Sequence, residues 1–237
     1  MTKDILVVGD PHANPDFPND RADWLGQYIK ETKPDVVVNM GDTFDMPSLS
    51  SYDKGKASFH GASYERDIES GLDFLDRMWH PVKKSKKKLP YSVFLVGNHE
   101  QRKKKVLEYQ PELAGDRYGV SYKNYQLSDY HNEVVHYEGQ TPGIYTIEGI
   151  SFAHYMVSGL MGRPIGGELD WSVRSSPTGN RIMGLVAGVY QDYDSPWAGN
   201  ISHLWWRGIV HLRNVEDGEF DPEFVSLGAL RRQYGAS

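Results

Sequence analysis

Ile5-Leu6-Val7-Val8-Gly9-Asp10-Pro11-His12 is the stretch that decides the fold. Four apolar, mostly β-branched residues without alternation describe a strand buried on both faces, as in a parallel sheet. Gly9 then lets the backbone turn sharply, and Asp10 and His12 follow at once. The same order returns twice. Val36-Val37-Val38 leads through Met40 to Gly41-Asp42, and Val93-Phe94-Leu95-Val96 leads to Gly97-Asn98-His99-Glu100. Between these runs, Ala22, Leu25, Tyr28 and Ile29 form one stripe at helical spacing, and Tyr64, Ile68, Leu72, Leu75 and Trp79 form another. Strand, helix, strand, long helix, strand predicts a βαβ series, hence a parallel sheet covered by helices.

The second half changes character. Strands are expected at 133–137, 144–148, 150–154, 182–190, 206–212 and 219–227, some of them joined by short turns such as Glu216-Asp217-Gly218. These predict a second, mixed or antiparallel sheet facing the first. The expected architecture is therefore an α/β/β/α sandwich with outer helices. No repeat, low-complexity tract or linker interrupts it, so residues 1–237 read as one domain.

Composition narrows the chemistry. The 237 residues are 39% apolar and 24% charged, which is ordinary for a globular chain and excludes a collagen-like or disordered one. No run of apolar residues is long enough to span a membrane, and the N-terminus lacks the pattern of a signal peptide, so a cytoplasmic protein is expected. With no cysteine, thiolate metal sites, disulfides and cysteine nucleophiles drop out. A net charge of −6 argues against a general nucleic-acid binder. Yet nine of the 26 basic residues fall in two runs, Lys83–Lys88 and Arg102–Lys105. They read either as solvated surface or as a positive rim for a phosphate-rich substrate.

In open α/β sheets, ligands bind where loops leave the carboxyl ends of the strands. Here those loops carry Asp10, Asp42 and Asn98, with His12 and His99 beside them. Oxygen donors suit hard divalent cations, and imidazole suits Mn, Fe, Ni or Zn. One Gly-Asp is a common turn. Three consecutive strand ends with one donor set point to a metal centre.

These blocks resemble those of the calcineurin-like metallophosphoesterases, whose ordered motifs are Asp-x-His, Gly-Asp, Gly-Asn-His-Asp/Glu, a lone His and Gly-His-x-His. Asp10 and His12, Asp42, and Asn98-His99-Glu100 match the first three, and His154 matches the lone histidine. The stretch from Leu204 to Gly235 is similar to phage-encoded members, which would place the protein in the host cytoplasm. The resemblance implies two divalent ions, Mn first and Mg, Fe, Ni or Zn as alternatives. Asp10 and His12 would hold one, Asn98 and His154 the other, and Asp42 would bridge them. It also implies attack on a phosphate ester by water whose pKa the cations lower, with His99 protonating the leaving oxygen. Glu100 would orient an imidazole, and Arg102 and Arg163 would face the anionic substrate.

One block is missing. From Tyr155 through Ser202 there is no histidine, and Gly166-Gly167-Glu168 runs directly into Leu169-Asp170-Trp171. Each ion would lose an imidazole, so the second site is expected to be weak and the enzyme impaired. His203 and His211 are the only histidines downstream; the first abuts an aromatic pair and the second lies mid-strand. The expected function is a metal-dependent phosphodiesterase or phosphomonoesterase, with a nuclease as one option. The alternative is a non-catalytic relative that binds nucleic acid or a protein partner. Oligomeric state is not legible.

Overall fold

A computed structural model describes residues 1–85, 88–115, 119–158, 163–165, 169–175, 181–195 and 201–235. The first half folds as the periodicity predicts: β1 (Lys3–Val8), α1 (Asp20–Thr32), β2 (Val36–Asn39), α2 (Tyr64–Lys84), β3 (Tyr91–Leu95) and α3 (Asn98–Tyr109). A short α4 (Leu127–Tyr130) then leads into β4 (Glu133–Val135). Strands β1 to β4 are parallel neighbours in that order. Alternation sorts their side chains. Leu6, Val8, Val37 and Phe94 pack under the helices with Leu25, Phe74 and Leu75. Ile5, Val7, Val36, Val38 and Val93 face the other way, where Phe152 meets them. Each strand is thus apolar on both faces, which is why its sequence does not alternate.

The remaining strands are β5 (Tyr145–Ile147), β6 (Ile150–Phe152), β7 (Met156–Ser158), β8 (Arg163–Ile165), β9 (Leu169–Ser175), β10 (Arg181–Ala187), β11 (Gly208–Glu216) and β12 (Glu219–Ser226), before the final helix α5 (Leu227–Tyr234). Strands β4, β11 and β12, expected in the second sheet, belong to the first. It has six strands in the order β12-β11-β1-β2-β3-β4, with β11 antiparallel to β1. Register explains the placement: Ile5, Leu6, Val7 and Val8 lie opposite Leu212, His211, Val210 and Ile209, extending both apolar faces by one strand. Among the described residues, the second layer consists of three antiparallel pairs, β5-β6, β7-β8 and β9-β10. Tyr145, Ile147, Ile150, Leu185 and Ala187 pack it onto the main sheet. The result is a mixed α/β fold with helices on one face of a six-stranded sheet and hairpins on the other. Among the described residues no helix is long and apolar enough to cross a membrane.

Candidate metal centre

Asp10, Asp42 and Asn98 follow β1, β2 and β3 at their carboxyl ends, and His154 reaches them from the loop after β6. Two of these loops carry unusual backbone: His12 and Asp42 have φ of 46° and 48°, a region that costs a non-glycine residue free energy unless its surroundings impose it. The surroundings do. His12 N–H donates to the Asp42 carbonyl at 2.9 Å and Ala13 N–H to the Thr43 carbonyl at 2.7 Å, so the two loops brace each other. Tyr193 Oη–H donates to the His12 carbonyl at 2.7 Å. The wholly buried Arg21 reaches over from α1, donating to the Pro11 carbonyl at 2.8 Å and the Tyr190 carbonyl at 3.1 Å while pairing with Asp192. Gly97 is required by close approach, since a Cβ there would collide with the carboxylate and backbone nitrogen of Asp42.

Glu100 ties the second and third loops together. Its buried carboxylate accepts N–H bonds from Asp42 at 3.0 Å, Phe44 at 2.9 Å and Gly97 at 2.9 Å. These partners are backbone amides, where the sequence reading placed an imidazole. That orienting part falls to Asp45, which the sequence reading passed over. Its carboxylate lies 3.2 Å from His12 Nδ1 and 3.1 Å from His99 Nδ1, and accepts from Asn14 at 2.6 Å. With Nδ1 turned to Asp45, Nε2 is the atom His12 has for a cation, an arrangement common around metal-binding histidines. The signal was present in Gly41-Asp42-Thr43-Phe44-Asp45, an acid three residues beyond the first.

The expected ligands converge. Donor atoms of Asp10, His12 and Asp42 lie within 4.8 Å of one another, as do those of His12, Asp45 and His99. In the latter group, hydrogen-bond distances to Nδ1 make Asp45 a hub for imidazoles. His154 Nε2 lies 2.9 Å from Asn98 Oδ1 and 3.4 Å from Asp42 Oδ2, and its Nδ1 donates to the Met40 carbonyl at 2.7 Å. Arg102 donates to the Asp45 and Met46 carbonyls at 2.8 and 3.1 Å and lies 2.8 Å from His99 Nε2. The side chain of Arg163 lies outside the described residues. His211 is buried within the sheet with Nδ1 3.0 Å from Tyr28 Oη, and His203 is exposed in a short 3-10 helix beside Asp194.

Electrostatics shows what the cluster needs. Burial and the neighbouring Asp42 charge push Asp10 up to about 6, against the pull of His154 and His12. Burial alone would lower His154, but the Asp42 and Asp10 carboxylates outweigh it and raise it to about 10. Asp42 is held well below the usual carboxylate range: burial opposes this, and the surrounding histidines win. Two carboxylates thus share a buried pocket with imidazoles that supply the missing positive charge as protons. Dications bring that charge without protons, and the oxygen and imidazole donors suit them. The residues fit the group.

The basic runs separate. Arg102 joins the site. Lys103 beside it is buried against the Tyr122 and Tyr125 rings, and loss of water pulls its ammonium down to about 6. Lys104 and Lys105 are exposed on α3. Lys83 and Lys84 end α2 and Lys88 precedes β3, at the amino end of the parallel strands, opposite the site; Lys86 and Lys87 lie outside the described residues.

Fold and site together define a class: α/β proteins that gather metal-ligand side chains at the carboxyl ends of parallel strands. A family model for calcineurin-like phosphoesterases matches residues 3–211, and the chain belongs to that family. The family is one of metal-dependent phosphoester hydrolases whose members usually bind two divalent ions. No curated protein sequence matches the chain.

Proposed function

We propose that this chain hydrolyses a phosphodiester or phosphomonoester with two divalent ions, Asp10, His12 and Asp42 holding one and Asp42, Asn98 and His154 the other. The observation that carries the reading is the convergence of Asp10, His12, Asp42, Asn98 and His154, from three strand ends and a second-layer loop, on one pocket. When bound, the ions supply Lewis acidity and lower the pKa of water. The protein's own residues do the rest. Asp42 sits between the two donor groups and holds its negative charge at any ordinary pH. Asp45 fixes the tautomers of His12 and His99, taking the Nδ1–H of His12 on its carboxylate and that of His99 on its main-chain carbonyl at 2.6 Å. Arg102 directs its guanidinium at His99 Nε2 and offers a cation to a phosphate oxygen. His99 protonates the leaving oxygen once Arg102 turns to the phosphate and Nε2, which also faces Asp42, takes up a proton.

Each ion has three protein ligands in this scheme, so affinity and turnover are weak for the chemistry attempted. Elemental analysis after dialysis against Mn, with turnover of bis-p-nitrophenyl phosphate, tests the reading. Metal and slow turnover are expected in the wild type. Asp42→Asn should lose more metal than Asn98→Ala. Wild-type protein that binds no divalent ion overturns the proposal.

A further inference from the structure

Between the main sheet and the second layer runs a cavity of about 720 Å³. Its floor is Val7 and Gly9 of the β1 segment and Leu212 of β11, alternate residues that mark a sheet face. Its walls are different. Residues 149–156 line one side without a break, and residues 184–188 line the other. A strand shows every second residue to a neighbour above it, but shows consecutive residues to whatever lies beside it. The cavity therefore abuts the edges of β6 and β10.

Among the described residues both edges are open. β6 pairs with β5 and β10 with β9, and among the described residues neither strand is hydrogen-bonded along its other side. Ser151 and Gly184 are exposed, and Ile150, Leu185, Val186 and Ala187 are half-buried, so solvent reaches them. Native edges are usually blocked by lysine, proline or an inward charge. Ile150-Ser151-Phe152 and Gly184-Leu185-Val186-Ala187 carry none of these. The gap follows β1 and β11 from Asp10 at one end to the exposed Asp217 at the other, about 20 Å for a run of six strand residues. A compact small molecule would cover part of that length and leave most of the open amides and carbonyls unpaired.

We propose that this gap docks one extended segment of a partner polypeptide, which adds a strand between β6 and β10. Main-chain hydrogen bonds to two edges give affinity, as in other strand-addition complexes. Asp217 selects a basic residue at the end that lies beside it. The gap shares Asp10 and His154 with the candidate metal centre, but its test needs neither metal nor substrate, so the two readings can fail separately.

The test uses the full chain in chelator and a fluorescein-labelled heptapeptide, Lys-Val-Thr-Val-Thr-Val-Thr. Anisotropy should show saturable binding, weaker by about tenfold or more for an analogue with proline at two central positions. Asp217→Asn, a change in an exposed turn, should weaken the lysine-bearing peptide and leave an analogue with neutral glutamine in its place unaffected. Hydrogen exchange should slow by about tenfold or more at the amides of 150–152 and 184–187 when the peptide binds. Absence of saturable binding up to about 1 mM overturns the proposal. So does equal affinity for the proline analogue, or binding that leaves those amides unprotected. Protection that grows with the concentration of the chain alone assigns the gap to a second copy and overturns the committed occupant.

Discussion

Glu100→Ala removes the acceptor of three buried backbone N–H groups, those of Asp42, Phe44 and Gly97. An orphaned buried donor costs about 1–3 kcal/mol, which gives a gross loss of about 3–9 kcal/mol. Part of this is returned, because burial and the Asp42 charge raise Glu100 to about 7. Its folded pKa lies above the unfolded value, so the charged carboxylate weakens the fold above pH 7, a penalty absent once pH falls below the unfolded value. At about 1.4 kcal/mol per unit, deleting it gives back about 3 kcal/mol at pH 8. A net loss of about 3 kcal/mol remains at the middle of the range, about 6–12 °C in Tm for a chain of this size. Glu100→Gln keeps one oxygen, enough for the two amides that share Oε2, and turns an N–H₂ toward Phe44. It should fall between wild type and alanine. Thermal unfolding by circular dichroism in excess chelator measures this without a ligand contribution. A fall of under about 2 °C for alanine, or glutamine at least as harmful as alanine, refutes the bracing role.

Three more outcomes follow from the same geometry. His154 carries a folded pKa near 10, above its unfolded value, so its stabilisation is complete below the unfolded value and lost as pH rises toward 10. Metal-free Tm should decline across that window and His154→Gln should flatten the slope, while Mn binding below pH 9 should release protons, seen by calorimetry in buffers of different ionisation enthalpy. Tyr193→Phe deletes the bond to the His12 carbonyl and should cost about 0.5–1.5 kcal/mol and weaken Mn binding in a fluorescence titration; unchanged affinity would detach Tyr193 from the positioning of His12. Arg102→Ala removes a cation that, behind burial and against Asp42, helps keep His99 low; NMR titration of the His99 ring should show its pKa rising.

The layout of the site was legible because its donors follow buried strands. Gly9-Asp10, Gly41-Asp42 and Gly97-Asn98 advertise turns at one end of a parallel sheet, and the fold puts them together. Asp45 escaped notice because its partners, His12 and His99, come from two other loops and no local period connects them. Glu100 was legible as a helix residue three places past the Gly97 cap, a position whose carboxylate reaches back to backbone amides, and that local rule outweighed the pairing expected from the metal motif. Sheet membership of β4, β11 and β12 was hidden for another reason: an alternating strand declares which face is apolar, but not which neighbour covers its edge. Strand β9 was visible in principle, since Leu169, Trp171 and Val173 alternate with Asp170, Ser172 and Arg174. It is missing from the strands expected in the second half because glycine- and proline-rich sequence flanks it on either side.

Lys83 and Lys84 at the end of α2, with Lys88 before β3, would give the molecule a handle at the end of the sheet away from its candidate metal centre. A polyanion gripped there lies about 16 Å or more from the pocket, the length of a five-residue strand. Adsorbed on a heparin or phosphocellulose matrix through Lys83, Lys84 and Lys88, the chain would sit with its mouth facing the mobile phase. Such a column would act as an oriented support, with small esters reaching the pocket unhindered while the immobilising polymer itself stays out of reach of the chemistry.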